Sequence, residues 1–262
     1  MFEEWKDVKD WIDDPVCFES IKKQIPKMDL IKLAGGEPLF MPGVYKLLKW
    51  CIDSGNTHLM LDVTTNGSRI KGKTTNLLPK FAKVDLQFSM CGVGVANDYI
   101  RYGANWDQLD QAYKHYLKLP GLRVQLLATA QIYNAWDLAN LIDYWYETGA
   151  SANIVFNPVN GPIDLMIDLL PYAYRVEIAE DLKKRLCLLT QEQQRISRIH
   201  HIITRLTKPE PTDLETIDKY KNWRTHFVKR TLLYDRIRKQ DVTKIHPKLT
   251  EVWNTWLKEY GD

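Results

Sequence analysis

Apolar positions in the first two thirds of the chain alternate between short continuous runs and helical spacing. This change of period separates strands from helices. Leu30 to Ala34 (LIKLA) is a short buried run closed by Gly35 and Gly36, and it predicts a strand. After Pro42, the apolar residues Val44, Leu47, Leu48, Cys51 and Ile52 share one helical face, and Gly55 stops it. Leu59 to Thr64 predicts a second strand ahead of an Asn66-Gly67 turn, and Val84 to Met90 a third. Asn105 caps a helix burying Trp106, Leu109, Tyr113 and Leu117, closed by Pro120. Leu122 to Ile132 predicts a fourth strand, and Asn134 caps a helix through Leu138, Leu141, Ile142 and Trp145 to Gly149. Ala152 to Phe156 predicts a fifth strand. Upstream, Asp14-Pro15 opens a short helix with a capping acid and a proline at the first helical position.

Strands and helices alternating in this way imply parallel strands joined by right-handed crossovers. Ligands of such sheets gather at the carboxyl ends of the strands. The loops after Ala34, Thr64, Met90, Ile132 and Phe156 are therefore the places to look for chemistry. After Pro171 the strands are expected to stop. Thr190 and Gln193 fit a capping box for a helix running to Leu206. Lys208-Pro209-Glu210-Pro211 reads as a hinge. Residues 213–240 and 247–260 predict two amphipathic helices whose tryptophans, Trp223, Trp253 and Trp256, belong to the core. The organisation expected is residues 1–171 as one α/β domain and 172–262 as a helical extension.

The chain has 262 residues, 45% of them hydrophobic, enough for a sizeable core. No apolar run reaches the length of a membrane span. The start, MFEEWKDVKDW, lacks the basic and apolar regions of a signal peptide. A cytoplasmic protein with no membrane association is expected. The net charge of +3 is unevenly spread: residues 175–262 hold 19 Lys+Arg against 13 Asp+Glu, and the rest 17 against 20. A basic C-terminal third could meet an acidic partner or nucleic acid, but solvated helices account for it and nucleic acid is not expected. Cys17, Cys51, Cys91 and Cys187 are scattered, which excludes a disulfide framework, a zinc ribbon or a local iron–sulfur loop. His200 and His201 are adjacent on a helix, point in different directions and do not suit a shared metal.

The segment with the most chemistry is Ala34-Gly35-Gly36-Glu37-Pro38-Leu39 at a strand end. Two glycines let a backbone approach a ligand, Glu37 offers an acceptor for an amine, and Pro38 stiffens the exit. The residues alone fit either a small-molecule site or a tight strand–helix turn with an incidental acid.

Leu33-Ala-Gly-Gly-Glu-Pro-Leu39 resembles the GGEP motif of radical S-adenosylmethionine (radical SAM) enzymes. Val63-Thr-Thr-Asn-Gly67 resembles their next strand end. Phe88-Ser-Met-Cys-Gly-Val-Gly94 stands where the family has a Ser-Ile-Asp-Gly type segment. Tyr99-Ile-Arg-Tyr-Gly103 with Trp106 is similar to the twitch-domain-containing subgroup, as, more faintly, are Leu233 to Arg238 and His246-Pro247-Lys248-Leu249. The resemblance runs from about residue 30 to 171. It implies a partial (β/α)6 TIM-like barrel lacking its first strand, with a helical C-terminal extension. It also implies cleavage of S-adenosylmethionine (SAM) to a 5′-deoxyadenosyl radical that abstracts hydrogen from an unknown small-molecule or peptide substrate. By position, Gly35, Gly36, Glu37 and Pro38 would meet the SAM amino group, Thr65 and Asn66 its sugar, and the 125–132 strand its adenine. Ser89 would stand at the next strand end. Arg101 is the candidate for the SAM carboxylate, or else a surface or helix-capping arginine. Asn157 is a ligand donor or a turn cap.

Two departures qualify the resemblance. The family binds a [4Fe-4S] cluster with CxxxCxxC, and that motif is not in this sequence. The expectation is a chain starting beyond the first barrel strand. The exposed sheet edge would then be covered by a missing N-terminal segment, an N-terminal helix or a partner chain. Cys91 also replaces the family's aspartate and is expected to be a buried small residue. The alternative is a degenerate barrel that binds a small molecule, or serves as a partner subunit, without turnover.

Overall fold

The computed structural model describes residues 11–68, 70–150, 152–188 and 196–261. Six strands form one sheet in the order β1 (Leu30–Leu33), β2 (Met60–Thr65), β3 (Lys83–Ser89), β4 (Leu122–Ala130), β5 (Ile154–Pro158) and β6 (Ile196–Ser197). The pairs β1–β2, β2–β3, β4–β5 and β5–β6 are parallel. The expected α/β architecture is therefore present. By internal contacts the chain divides into two compact units, Met1–Phe88 with Gln111–Val124, and Ser89–Asp110 with Gln125–Asp262.

In the first unit, α1 (Pro15–Gln24) begins as the Asp14-Pro15 pair predicts, with the Asp14 carboxylate accepting from the Val16 N–H at 2.8 Å. Helix α2 (Pro42–Asp53) buries Val44, Leu47, Leu48 and Cys51, the stripe seen in the sequence. Within the sheet, Leu33, Val63 and Leu86 lie in register across β1, β2 and β3, and all three are buried. The other face of β2 carries Met60, Asp62 and Thr64, all half-buried. There Asp62 accepts from the Gln87 amide at 2.8 Å and lies 3.6 Å from Lys32, so it is a partnered acid in the sheet.

The second unit carries α3 (Val95–Ile100), α5 (Leu138–Glu147), α6 (Tyr172–Leu188), α7 (Ile199–Leu206), α8 (Leu214–Arg238) and α9 (Pro247–Tyr260); α4 (Trp106–Leu117) is divided between the units. The Asn105 side chain accepts from the Gln108 N–H at 3.0 Å, as a cap of α4 should. Phe227, Trp253 and Trp256 are buried together, which places the C-terminal aromatics in the core; Trp223 is half-buried against Tyr220.

Three expectations need adjustment, and a fourth is untested. The strands do not stop at Pro171: β6 pairs with β5 through Ile154↔Ile196 and Val155↔Ser197. Two residues carry too little period to be read from sequence. Thr190 and Gln193 lie outside the described residues. Lys208 to Pro211 is no free hinge, because Arg175, 2% exposed, donates to the carbonyls of Leu206 and Lys208 and pairs with Glu210 at 3.0 Å. Finally, Asn134 does not cap α5. It sits in a 3-10 turn, Ile132–Asp137, four residues before that helix.

Candidate functional site

The end of β1 in the first unit passes into Gly35 and Gly36, both at positive φ (95° and 52°), where a side chain would be strained. A Cβ on either would meet nothing within 4 Å, so these glycines border open space. Glu37 follows, half-buried, and Pro38 starts a short 3-10 turn packed into the core. The Glu37 carboxylate accepts from the Thr65 hydroxyl at 2.8 Å, the Asn66 N–H at 2.6 Å and the Leu39 N–H at 3.3 Å. One acid thus ties the end of β1 to the end of β2. Thr65 is buried, and its hydroxyl also accepts from the Gly67 N–H at 3.1 Å. Asn66 turns its carbonyl oxygen to the Ser68 N–H and hydroxyl. The structure therefore brings Gly35, Gly36, Glu37, Pro38, Thr65 and Asn66 together. Two carboxylate oxygens carry about four acceptor positions, and three N–H or O–H donors use part of that capacity. A half-buried carboxylate held by three donors beside open glycines keeps acceptor capacity for a further donor, and a cationic one would bind it most strongly.

In the second unit, Ser89 ends β3 and is half-buried. The loop after it is held from three sides. The Cys91 N–H donates to Asn97 at 3.1 Å, and the Asn134 amide donates to the Cys91 carbonyl and, at 2.8 Å, to that of Thr129. The Val93 N–H donates to Asp137 at 2.5 Å. Asp137 is buried, and burial raises its pKa above the ordinary carboxylate value against the lowering effect of its Asn140 and Val93 bonds. A Cβ on Gly92 would lie 2.6 Å from the Asp137 carboxylate and 2.9 Å from Ala96, so only glycine fits without a shift. Cys91 is buried, as expected. Arg101, half-buried at the end of α3, places one guanidinium nitrogen 3.7 Å from the Cys91 sulfur. Asn157 in β5 accepts from Arg198 through its side-chain oxygen. Asn97, Asn134 and Asp137 were not legible as loop anchors. Their bonds reach Cys91 and Val93 from 6 to 44 positions away, and only the Gln131–Asn134 capping box left a local trace.

The segment following β5 is pinned by arginines from the helices. Arg230 pairs with Asp164 at 2.5 Å, Arg205 with Asp168, and Arg224 donates to the Leu169 carbonyl at 3.0 Å. Among the described residues no group of three His, Cys, Asp or Glu side chains could hold a metal ion, and no helix is long and apolar enough to cross a membrane.

The chain is thus an α/β protein with a largely parallel sheet and an acid held at a strand end. Similar folds occur in SuiB from Streptococcus suis, which aligns over 73% of this chain and 43% of its own at 16% identity and a TM-score of 0.50. SuiB bound to its precursor peptide SuiA aligns at 17% identity and a TM-score of 0.50, over 73% of this chain and 42% of that one. SuiB bound to S-adenosylmethionine aligns over the same 73% and 43% at 17% identity and a TM-score of 0.49. The chain thus spans less than half the length of these structures. No protein-family model and no curated protein sequence matches it.

Proposed function

We propose that this chain is the SAM-binding portion of a radical SAM enzyme, built as a partial (β/α)6 barrel over residues 1–171 with a helical extension over 172–262. The observation that carries the reading is the Glu37 carboxylate. Thr65 and Asn66 aim it beside two glycines that leave room for a ligand. In this reading Glu37 accepts from the SAM ammonium, Gly35 and Gly36 let the backbone approach it, Pro38 fixes the exit, and Thr65 and Asn66 stand near the ribose. Ser89, Arg101 and Asn157 are assigned to the remainder of the ligand by the sequence resemblance. SAM supplies hydrogen-abstraction chemistry when it is bound to a reduced iron–sulfur cluster. The protein's part is to orient the nucleoside and shield it from water.

The cluster does not fit this chain's own residues. Cys17, Cys51, Cys91 and Cys187 are far apart in sequence, two of them are buried, and burial pushes the Cys51 thiol up to about 11. Cluster ligands must be thiolates. No step is therefore assigned through it. The substrate class is a small molecule or a peptide, the latter in line with SuiB having been solved with a precursor peptide.

A second reading, a barrel that binds SAM without turnover, is favoured by Cys91. The thiol occupies the family's aspartate position, and its sulfur lies against Arg101. Both readings require SAM to bind. Isothermal titration with SAM is expected to give saturable heat, weakened by at least about tenfold in Glu37→Gln, which removes the charge from the ammonium contact. Absence of heat at millimolar SAM overturns both.

A further inference from the structure

A cleft of about 190 Å³ opens in the second unit between residues that follow β4 and β5 and the last turns of α8. Its walls are Tyr99, Gln131, Tyr133, Leu165, Tyr234 and Arg238. The three phenol hydroxyls are engaged within the protein. Tyr99 donates to Asp235 at 2.8 Å, Tyr133 pairs with Thr231 at 2.8 Å, and Tyr234 accepts from Arg230 at 3.2 Å. The Gln131 side-chain oxygen accepts from the Asn134 N–H in the capping box. With those groups committed, the tyrosines and Leu165 contribute mainly apolar ring and aliphatic surface.

Arg238 differs from three other arginines of the second unit. Arg175, Arg205 and Arg230 each hold a carboxylate, whereas Arg238 makes no ion pair among the described residues; the Asp235 carboxylate acts on it only at longer range and is itself bonded to the Tyr99 hydroxyl and the Val242 N–H. Its guanidinium carbon lies 3.7 Å from the Tyr234 ring centre and 5.3 Å from that of Tyr102. Stacking on a ring occupies a face of the guanidinium and leaves its N–H edge free. That edge matches the two oxygens of a carboxylate. An apolar cavity of about 150 Å³ accommodates a benzene ring, so the cleft has room for one aromatic ring.

We infer that this cleft binds an aromatic carboxylate, with the ring among Tyr99, Tyr133 and Leu165 and the carboxylate on Arg238. The inference rests on the proposed function in that it names the substrate class of the same protein, a free aromatic acid or an aromatic residue bearing a terminal carboxylate.

The test is isothermal titration of the full chain with phenylacetate, with phenethylamine as the charge-reversed control. Phenylacetate is expected to bind, and phenethylamine not. Arg238→Gln is expected to weaken phenylacetate binding at least about tenfold, with Arg238→Lys in between because it keeps the charge and loses the fork. Both variants are checked for parent-like circular dichroism. If Arg238→Gln misfolds, the comparison of parent with Arg238→Lys and of acid with amine decides. Equal binding of acid and amine, or unchanged affinity in a folded Arg238 variant, overturns the inference. SAM carries a carboxylate of its own, so it is titrated in parallel. If SAM displaces phenylacetate and Arg238→Gln loses SAM to the same extent, the cleft serves the SAM carboxylate and the substrate assignment falls. No heat with SAM alongside Arg238-dependent phenylacetate binding removes the SAM reading and leaves the cleft.

Discussion

Gly92 shows how much one missing side chain can matter. Its Cα faces the Asp137 carboxylate and the Ala96 methyl so closely that an added Cβ would sit 2.6 Å and 2.9 Å from them. Both neighbours are buried. The Val93 N–H bond to Asp137, at 2.5 Å, depends on the same approach. Gly92→Ala is therefore expected to displace the loop after β3 and cost about 1–3 kcal/mol, the usual range for overpacking. The urea midpoint measures this, and a parent-like midpoint would show that the loop does not rest on Asp137. Glu37 was legible in the sequence, because a glycine pair and an acid at a strand end form a local pattern. Asn134 was not: its sequence neighbours make it look like a helix cap, while its amide reaches the Cys91 carbonyl 43 positions away.

Among the elements, α9 shows how a local signal combines with a distant one. His246 caps it by accepting from the Lys248 N–H at 3.2 Å, with Pro247 at the first helical position. Its ring stacks on Trp136 with centroids 5.7 Å apart and planes 9° from parallel. Burial lowers the His246 pKa. Glu177 and Glu251 face it and act to raise it, and Lys248 acts to lower it further. A folded value below the unfolded one means that the unfolded chain takes up the proton more readily. This contribution to stability is then full above the unfolded value of about 6.5 and is lost as pH falls through it. Urea midpoints measured at about pH 7.5 and about pH 5.5 should drop more in the parent than in His246→Asn, which keeps a capping side chain without a titrating ring. Equal drops would mean that the ring is hydrated in the fold. By contrast, β6 has no local signal. It is a strand because β5 offers it two register positions.

For the molecule as a whole, the cysteines set the clearest expectation. Cys17 and Cys187 are exposed and Cys51 and Cys91 buried; Cys17 and Cys51 belong to the first unit, Cys91 and Cys187 to the second. A [4Fe-4S] cluster needs several thiolates converging on one point, and scattered thiols do not supply it. Anaerobic treatment of this chain with iron and sulfide is expected to leave no stoichiometric cluster. A [4Fe-4S] spectrum by Mössbauer or EPR spectroscopy would show that these cysteines, or a second copy of them, assemble one. The excess of basic residues beyond position 174 finds a partly structural use. Arg175, Arg205, Arg224 and Arg230 bind backbone carbonyls and acids of the segment after β5 and the 206–210 stretch, and so do not form a free cationic surface.

By itself the sequence determined the alternation of strand and helix, the main helix caps and the Gly-Gly-Glu strand end. Each depends on residues within a few positions of one another, where periodicity and capping chemistry act directly. Only the tertiary structure decided that Glu37 joins two strand ends, that Arg175 closes the Lys208–Pro211 stretch, and that Arg238 stacks on Tyr234 rather than pairing with an acid as Arg230 does. The bonds of Glu37 and Arg175 join groups 28 to 33 positions apart in the chain. Their pairing follows from which elements pack together, and chain-local patterns do not carry that information.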